Sequence, residues 1–175
     1  MFRSLLFILL MVCCRQLVYC LPHNNTISRR STPSSAKNGV SIVNVNVERH
    51  EHDDFVRIAE HFNGGVEYRG RRCIMRDNES VRAGLYFVVN FDRPLNKLPK
   101  DLSVNIHLML GRSLTPEKFE FRLPNVRQEL VAEVYCGITS KKVIGLKVNA
   151  YKIEVLSDNG EVIANYKSHM WPKNL

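Results

Sequence analysis

The chain reads as an all-β protein: an antiparallel, immunoglobulin-like β-sandwich of about seven to nine strands. Three observations predict it. Apolar and polar residues alternate along short runs from Val43 onward. Turn residues separate those runs at roughly ten-residue intervals. Cys73 and Cys136 are spaced like the inter-sheet cysteines of an immunoglobulin domain. The detail departs from true immunoglobulin domains, because Tyr135 directly precedes Cys136 and the single tryptophan, Trp171, lies near the C-terminus. The architecture is retained and the family is not.

Taken in order, Val43, Val45 and Val47 face one way with Asn44, Asn46 and Glu48 opposite, the pattern of a half-buried strand. Phe55, Ile58, Ala59 and Phe62 recur at helical spacing, with Asp53 or Asp54 as N-cap and Gly64-Gly65 as a stop. Val56 and Ile58 also alternate, and with strands on either side an irregular edge strand is the preferred reading. Leu85 to Phe91 is β-rich and nearly continuous, which suits a central strand covered on both faces. Leu102 to Leu108, Phe119 to Leu123 (halted by Pro124), Leu130 to Cys136 and Ala150 to Leu156 each alternate. Asp158-Asn159-Gly160 is a hairpin turn, since Asn and Gly accept the positive φ such turns require. Glu161 to Met170 returns as the last strand, and Tyr166, Met170 and Trp171 are expected to pack into the fold.

The N-terminus has a different character. Residues 1–20 read as an export signal, with Arg3 at the start and an apolar run from Leu5 to Val12. That run is shorter than the about 20 residues needed to span a bilayer, so no transmembrane segment is expected after cleavage. Leu17-Val18-Tyr19-Cys20 is a poor lipidation signal, because Tyr19 is bulky where a small residue belongs. Residues 21–39 form a polar tether with almost nothing to bury, leaving 40–175 as one sandwich domain. The expected location is secreted, periplasmic or in the cell envelope.

The formal charge of the chain is +8. Losing Arg3 and Arg15 with the signal leaves about +6, a balance that favours anionic surfaces. Outside the cytoplasm these are an anionic glycan, lipid headgroups, another envelope component or another protein, and not nucleic acid. Three of the five cysteines fall in the signal. For Cys73 and Cys136 the alternatives are a disulfide, closing a loop of about 60 residues and stabilising by roughly 4 kcal/mol, or two separate buried thiols. The sequence favours neither.

Two clusters carry candidate chemistry. In Glu48 to Asp54, His50 and His52 would point the same way on a strand, and Asp53 or His61 would complete a zinc or copper set. A solvated connection is the favoured reading, since there is no His-Glu-x-x-His or Cys-x-x-Cys. The second cluster is Arg69, Arg71, Arg72 and Arg76, whose guanidinium forks suit sulfate, phosphate or carboxylate, although an arginine-rich exposed strand and loop is the favoured reading. Asn24 and Asn78 open glycosylation acceptor patterns. There is no Gly-x-Ser-x-Gly and no phosphate-cradling glycine loop. The chain therefore reads as a non-catalytic module without a cofactor. A secreted metal-dependent or carboxylate hydrolase is the alternative.

Arg69 to Asp92, Leu98-Pro99, Phe119 to Pro124, Gly137-Ile138-Thr139 and Ser168 to Trp171 together are similar to an uncharacterised family of exported bacterial β-sandwich proteins of the Verrucomicrobia type. The resemblance spans roughly Phe55 to Trp171. It implies the sandwich and a bacterial source, which argues against glycosylation of Asn24 and Asn78. It implies no activity and no binding residue.

Overall fold

Alternation places the apolar side chains of eight strands between two four-stranded sheets. The computed structural model describes residues 39–125 and 130–173. The predicted signal, Asn24 and the tether up to residue 38 lie outside the described residues. The strands are β1 (Ile42–His50), β2 (Cys73–Arg76), β3 (Gly84–Phe91), β4 (Ser103–Leu110), β5 (Glu117–Arg122), β6 (Glu133–Ile138), β7 (Val148–Leu156) and β8 (Val162–Lys167). Among the described residues two short α-helices accompany them, α1 (Ile58–Phe62) and α2 (Lys141–Ile144). Among the described residues no helix is long and apolar enough to cross a membrane.

The first sheet runs β1-β3-β6-β2 and the second β5-β4-β7-β8. Pairing is antiparallel except for β2, which lies parallel to β6 at the sheet edge. Leu85, Phe87 and Val89 of β3 and Val134, Cys136 and Ile138 of β6 point inward. They meet Val104, Ile106 and Leu108 of β4 and Ile153 and Val155 of β7. The Phe87 and Tyr151 rings touch edge to face across the gap, with centroids 5.3 Å apart. As its composition predicts, β3 is central, between β1 and β6, and Leu85 through Val89 are all buried.

Local departures from the sequence reading have local causes. A bulge between Ile42 and Asn44 leaves Val43 without a partner on β3, so Val43 is 58% exposed while Ile42 and Val45 face the core. The preferred edge strand over Phe55 to Phe62 is corrected to a 3-10 turn, His52–Phe55, followed by α1. Only Phe55 of that apolar set turns inward. Leu130 is exposed at φ 67°, so β6 begins three residues later than its alternation suggests. Trp171 packs into the fold against Met109 and Ala150, whereas Met170 faces solvent. The turn after β7 has Gly160 at φ 75°, as predicted.

No disulfide joins Cys73 to Cys136. Both point inward from neighbouring strands of one sheet, where Cys73 faces Val134 and Cys136 faces Met75. This diagonal offset places their Cα atoms about 7–8 Å apart, beyond ordinary disulfide reach. Burial, and then the neighbouring Cys73, push the Cys136 thiol pKa well up, which keeps it protonated and unreactive.

Candidate functional site

The candidate histidines, Asp53 and the arginine cluster lie at the end of β1 or on the excursion between β1 and β3. The outer face of the first sheet has two distinctive rows. Glu48, Tyr86, Gly137 and Arg76 lie side by side across the four strands, and Asn46, Val88, Tyr135 and Ile74 form the next row. Phe55 folds back onto Ile74 and Tyr86, burying all three.

Arg76 is the hub. Its side chain is 0% exposed, and its two terminal nitrogens grip Glu67, Nη1 to Oε2 at 2.8 Å and Nη2 to Oε1 at 2.6 Å. Its Nε donates to Tyr86 Oη at 2.6 Å, and Tyr86 donates onward to the Arg82 carbonyl at 2.7 Å. The guanidinium also lies 5.0 Å from the Phe55 ring centroid, a cation–π position. The Arg76 bond, opposed by burial and supported by Arg69, pulls the Glu67 pKa down to about 2. Burial would lower the Arg76 pKa, but the bonds to Glu67 and Tyr86 outweigh it and raise the value further. A bidentate pair this enclosed is a structural clamp.

Arg69 is used internally too. It bonds Glu67 at 3.1 Å, the Ile74 carbonyl at 2.9 Å, and Glu79. The predicted four-arginine face is therefore corrected to two: Arg71 and Arg72 are exposed, and Arg72 rests over the Tyr135 ring at 5.5 Å. The sequence shows the arginines; the carboxylates that neutralise two of them become apparent only when Glu67 folds over β2.

The histidine set does not converge. His50 closes β1 with its ring against Phe55 and Tyr86, Nε2 3.1 Å from Glu48 and Nδ1 3.3 Å from Asp54. His52 and Asp53 are exposed in the 3-10 turn, and His61 is exposed on α1. Among the described residues no three His, Cys, Asp or Glu side chains are grouped to hold a metal ion. Asn78 lies exposed in the β2–β3 turn, where its Oδ1 accepts from the Ser80 amide at 3.1 Å and hydroxyl at 2.7 Å.

A second site, on the outer face of the second sheet, has no motif in the sequence. Ser103, Asn105 and His107 of β4 sit opposite Arg122, Glu120 and Lys118 of β5. Together with Asp101, Ser157 and Asp158 from the adjoining turns, most of these line a cleft of about 370 Å³. Asn105 is buried, and its Oδ1 has no hydrogen-bond partner among the described residues. Such an atom is costly, since desolvating a polar group without compensation takes about 1–3 kcal/mol. Lys118 and Glu120 are exposed and bond each other at 3.3 Å. Asp101, at φ 52°, is tied to Asn125 by bonds of 2.8 and 3.0 Å. Along the next rung Glu154 collects His107 at 2.9 Å and Lys152 at 2.7 Å. Burial opposes ionisation of Glu154, but those two bonds prevail and lower its pKa. The cleft thus combines cations, carboxylates, hydroxyls and one unmet acceptor within a few residues. Compared with protein-family models, with curated proteins and with solved structures, the chain matches none.

Proposed function

We propose that the chain is an exported, non-catalytic binding module that holds an anionic glycan in the cleft on its second sheet. One observation carries the reading: the buried Oδ1 of Asn105, a strand residue facing the cleft with no partner of its own. A sugar hydroxyl satisfies it once the Asn105 amide turns its oxygen to the cleft, since the atom has no accessible surface as placed. Glu120, Asp101 and Asp158 would accept further hydroxyls, and the Arg122 guanidinium suits a ligand carboxylate or sulfate. The arginine-rich face supports this role less well, because Arg69 and Arg76 are committed to Glu67.

The test is a calorimetric titration with an oligogalacturonate and, separately, a neutral cello-oligosaccharide. Saturable binding of the acidic sugar, weakened at least tenfold in both Asn105→Ala and Arg122→Glu, is the expected result. Equal binding by wild type and both variants, or no binding of the acidic sugar at millimolar concentration, overturns the proposal.

A further inference from the structure

The excursion after β1 exposes apolar side chains that a water-facing loop has no need of. Ile58 is 79% and Phe62 84% exposed, one helical turn apart on α1, and Val56, Val66 and Tyr68 are exposed around them. Glu60 holds this stretch together. Its Oε1 accepts from the Arg57 amide at 3.1 Å and the Tyr68 amide at 3.4 Å, and its Oε2 accepts from Arg82 at 2.7 Å. The backbone carbonyl of Glu60 also receives the Gly65 amide at 2.9 Å. The apolar residues are therefore displayed on a tied scaffold.

Within residues 56–72 the exposed charge is one-sided, although exposed Glu51 lies before the stretch and Glu79 bonds Arg69 beyond it. From Val56 to Arg72 the only carboxylates are Glu60 and Glu67. Both are directed inward, the first to Arg82 and the second to Arg76 and Arg69. What remains at the surface is Arg57, Arg71 and Arg72, with His61 beside them. Asp53 and Asp54 precede this stretch, in the 3-10 turn before Phe55 goes inward. Exposed apolar side chains and exposed cations in one stretch match the physical requirements of an anionic lipid surface. The rings and aliphatic groups enter the acyl boundary while the guanidiniums meet phosphate.

We infer that the Val56–Arg72 stretch docks the protein on anionic lipid surfaces, with Ile58 and Phe62 inserting and Arg57, Arg71 and Arg72 binding headgroups. The site is on the opposite sheet from the glycan cleft and does not depend on it.

Vesicle co-sedimentation of the exported form of the chain tests this, using phosphatidylglycerol–phosphatidylcholine vesicles and pure phosphatidylcholine vesicles. Binding to the anionic vesicles is expected, with at least tenfold less on pure phosphatidylcholine and further loss at high salt. Ile58→Asp/Phe62→Asp and, independently, Arg71→Glu/Arg72→Glu should each weaken it at least tenfold. All four residues are exposed, so these variants are expected to fold, and circular dichroism checks that they do. Absence of binding by the wild type, or equal binding by folded variants, overturns the inference. So does a wild-type dimer that Ile58→Asp/Phe62→Asp dissociates without any vesicle binding, since a second copy would then be what covers the patch.

Discussion

Arg76 and Tyr86 stand two strands apart in the first sheet and bond directly, Nε to Oη at 2.6 Å, across Gly137 of the strand between them. A Cβ on Gly137 would lie 2.5 Å from Tyr86 Cε1, so the ring occupies the space a side chain would need. The aromatic ring covers the backbone that glycine leaves bare, and its hydroxyl reaches the guanidinium beyond.

Gly137→Ala is therefore expected to destabilise the fold by about 1–3 kcal/mol, the usual range for overpacking a site whose neighbour cannot move away. Urea denaturation measures it. Gly160→Ala is the companion control. A Cβ there would meet no described atom within 4 Å, so its cost is backbone strain at φ 75° alone.

Removing the Arg76 side chain leaves Glu67 half-buried beside Tyr86 with only Arg69 to answer it. Arg76→Ala should cost about 3–5 kcal/mol, as breaking an enclosed ion pair does. A double-mutant cycle with Glu67→Gln should return a coupling energy of about 1–3 kcal/mol. Strict additivity would show that the clamp contributes nothing as a pair.

Acid acts on the same pair. Glu67 titrates near 2 in the folded chain and near 4.5 when unfolded. Its contribution is thus fully present above about pH 4.5 and is lost as pH falls towards 2, as expected for a carboxylate with a depressed folded value. Glu67→Gln should flatten the stability profile between those limits. Thermal melts at half-unit pH steps decide it, and an unchanged acid limb would remove Glu67 as its cause.

Trp171, Met109 and Ala150 form a small satellite cluster outside the main core. Trp171→Ala is expected to cost about 3 kcal/mol, towards the lower end for large buried side chains because the cluster has few members. Met170→Ala, by contrast, should be neutral, since that side chain is exposed.

With no bridge between Cys73 and Cys136, reductant should leave the melting temperature unchanged. Thiol labelling after unfolding should find both cysteines reactive. In the folded protein Cys136 should resist labelling, being fully buried with a raised pKa.

The architecture was legible because strand alternation is a local signal. The burial of Val104, Ile106 and Leu108, or of Phe121, follows directly from period two. What escaped was set by partners distant in sequence. Val43 turns outward because β3 supplies no residue opposite it, and Cys73 and Cys136 share a sheet because β2 pairs with β6. Helical spacing over Phe55–Phe62 was present, but three of its four apolar members were not destined for the core. Asn105 looked like any outward strand residue until Glu120 and Glu154 lay on either side of it. The arginine cluster was visible without the carboxylates that absorb half of it.

The parallel seating of β2 has a kinetic consequence. β2 is four residues long and has only β6 as a ladder partner, about 60 residues further along the chain, so its closure entropy must be met before any of its contacts form. β1 and β3 can zip together earlier, and β4 with β5 needs only a short hairpin. The edge strand therefore assembles late and opens first. The amides of Cys73–Arg76 should exchange with solvent ahead of those in β3 and β4, and the excursion that displays Phe62 and Arg71 should come and go as one cooperative unit.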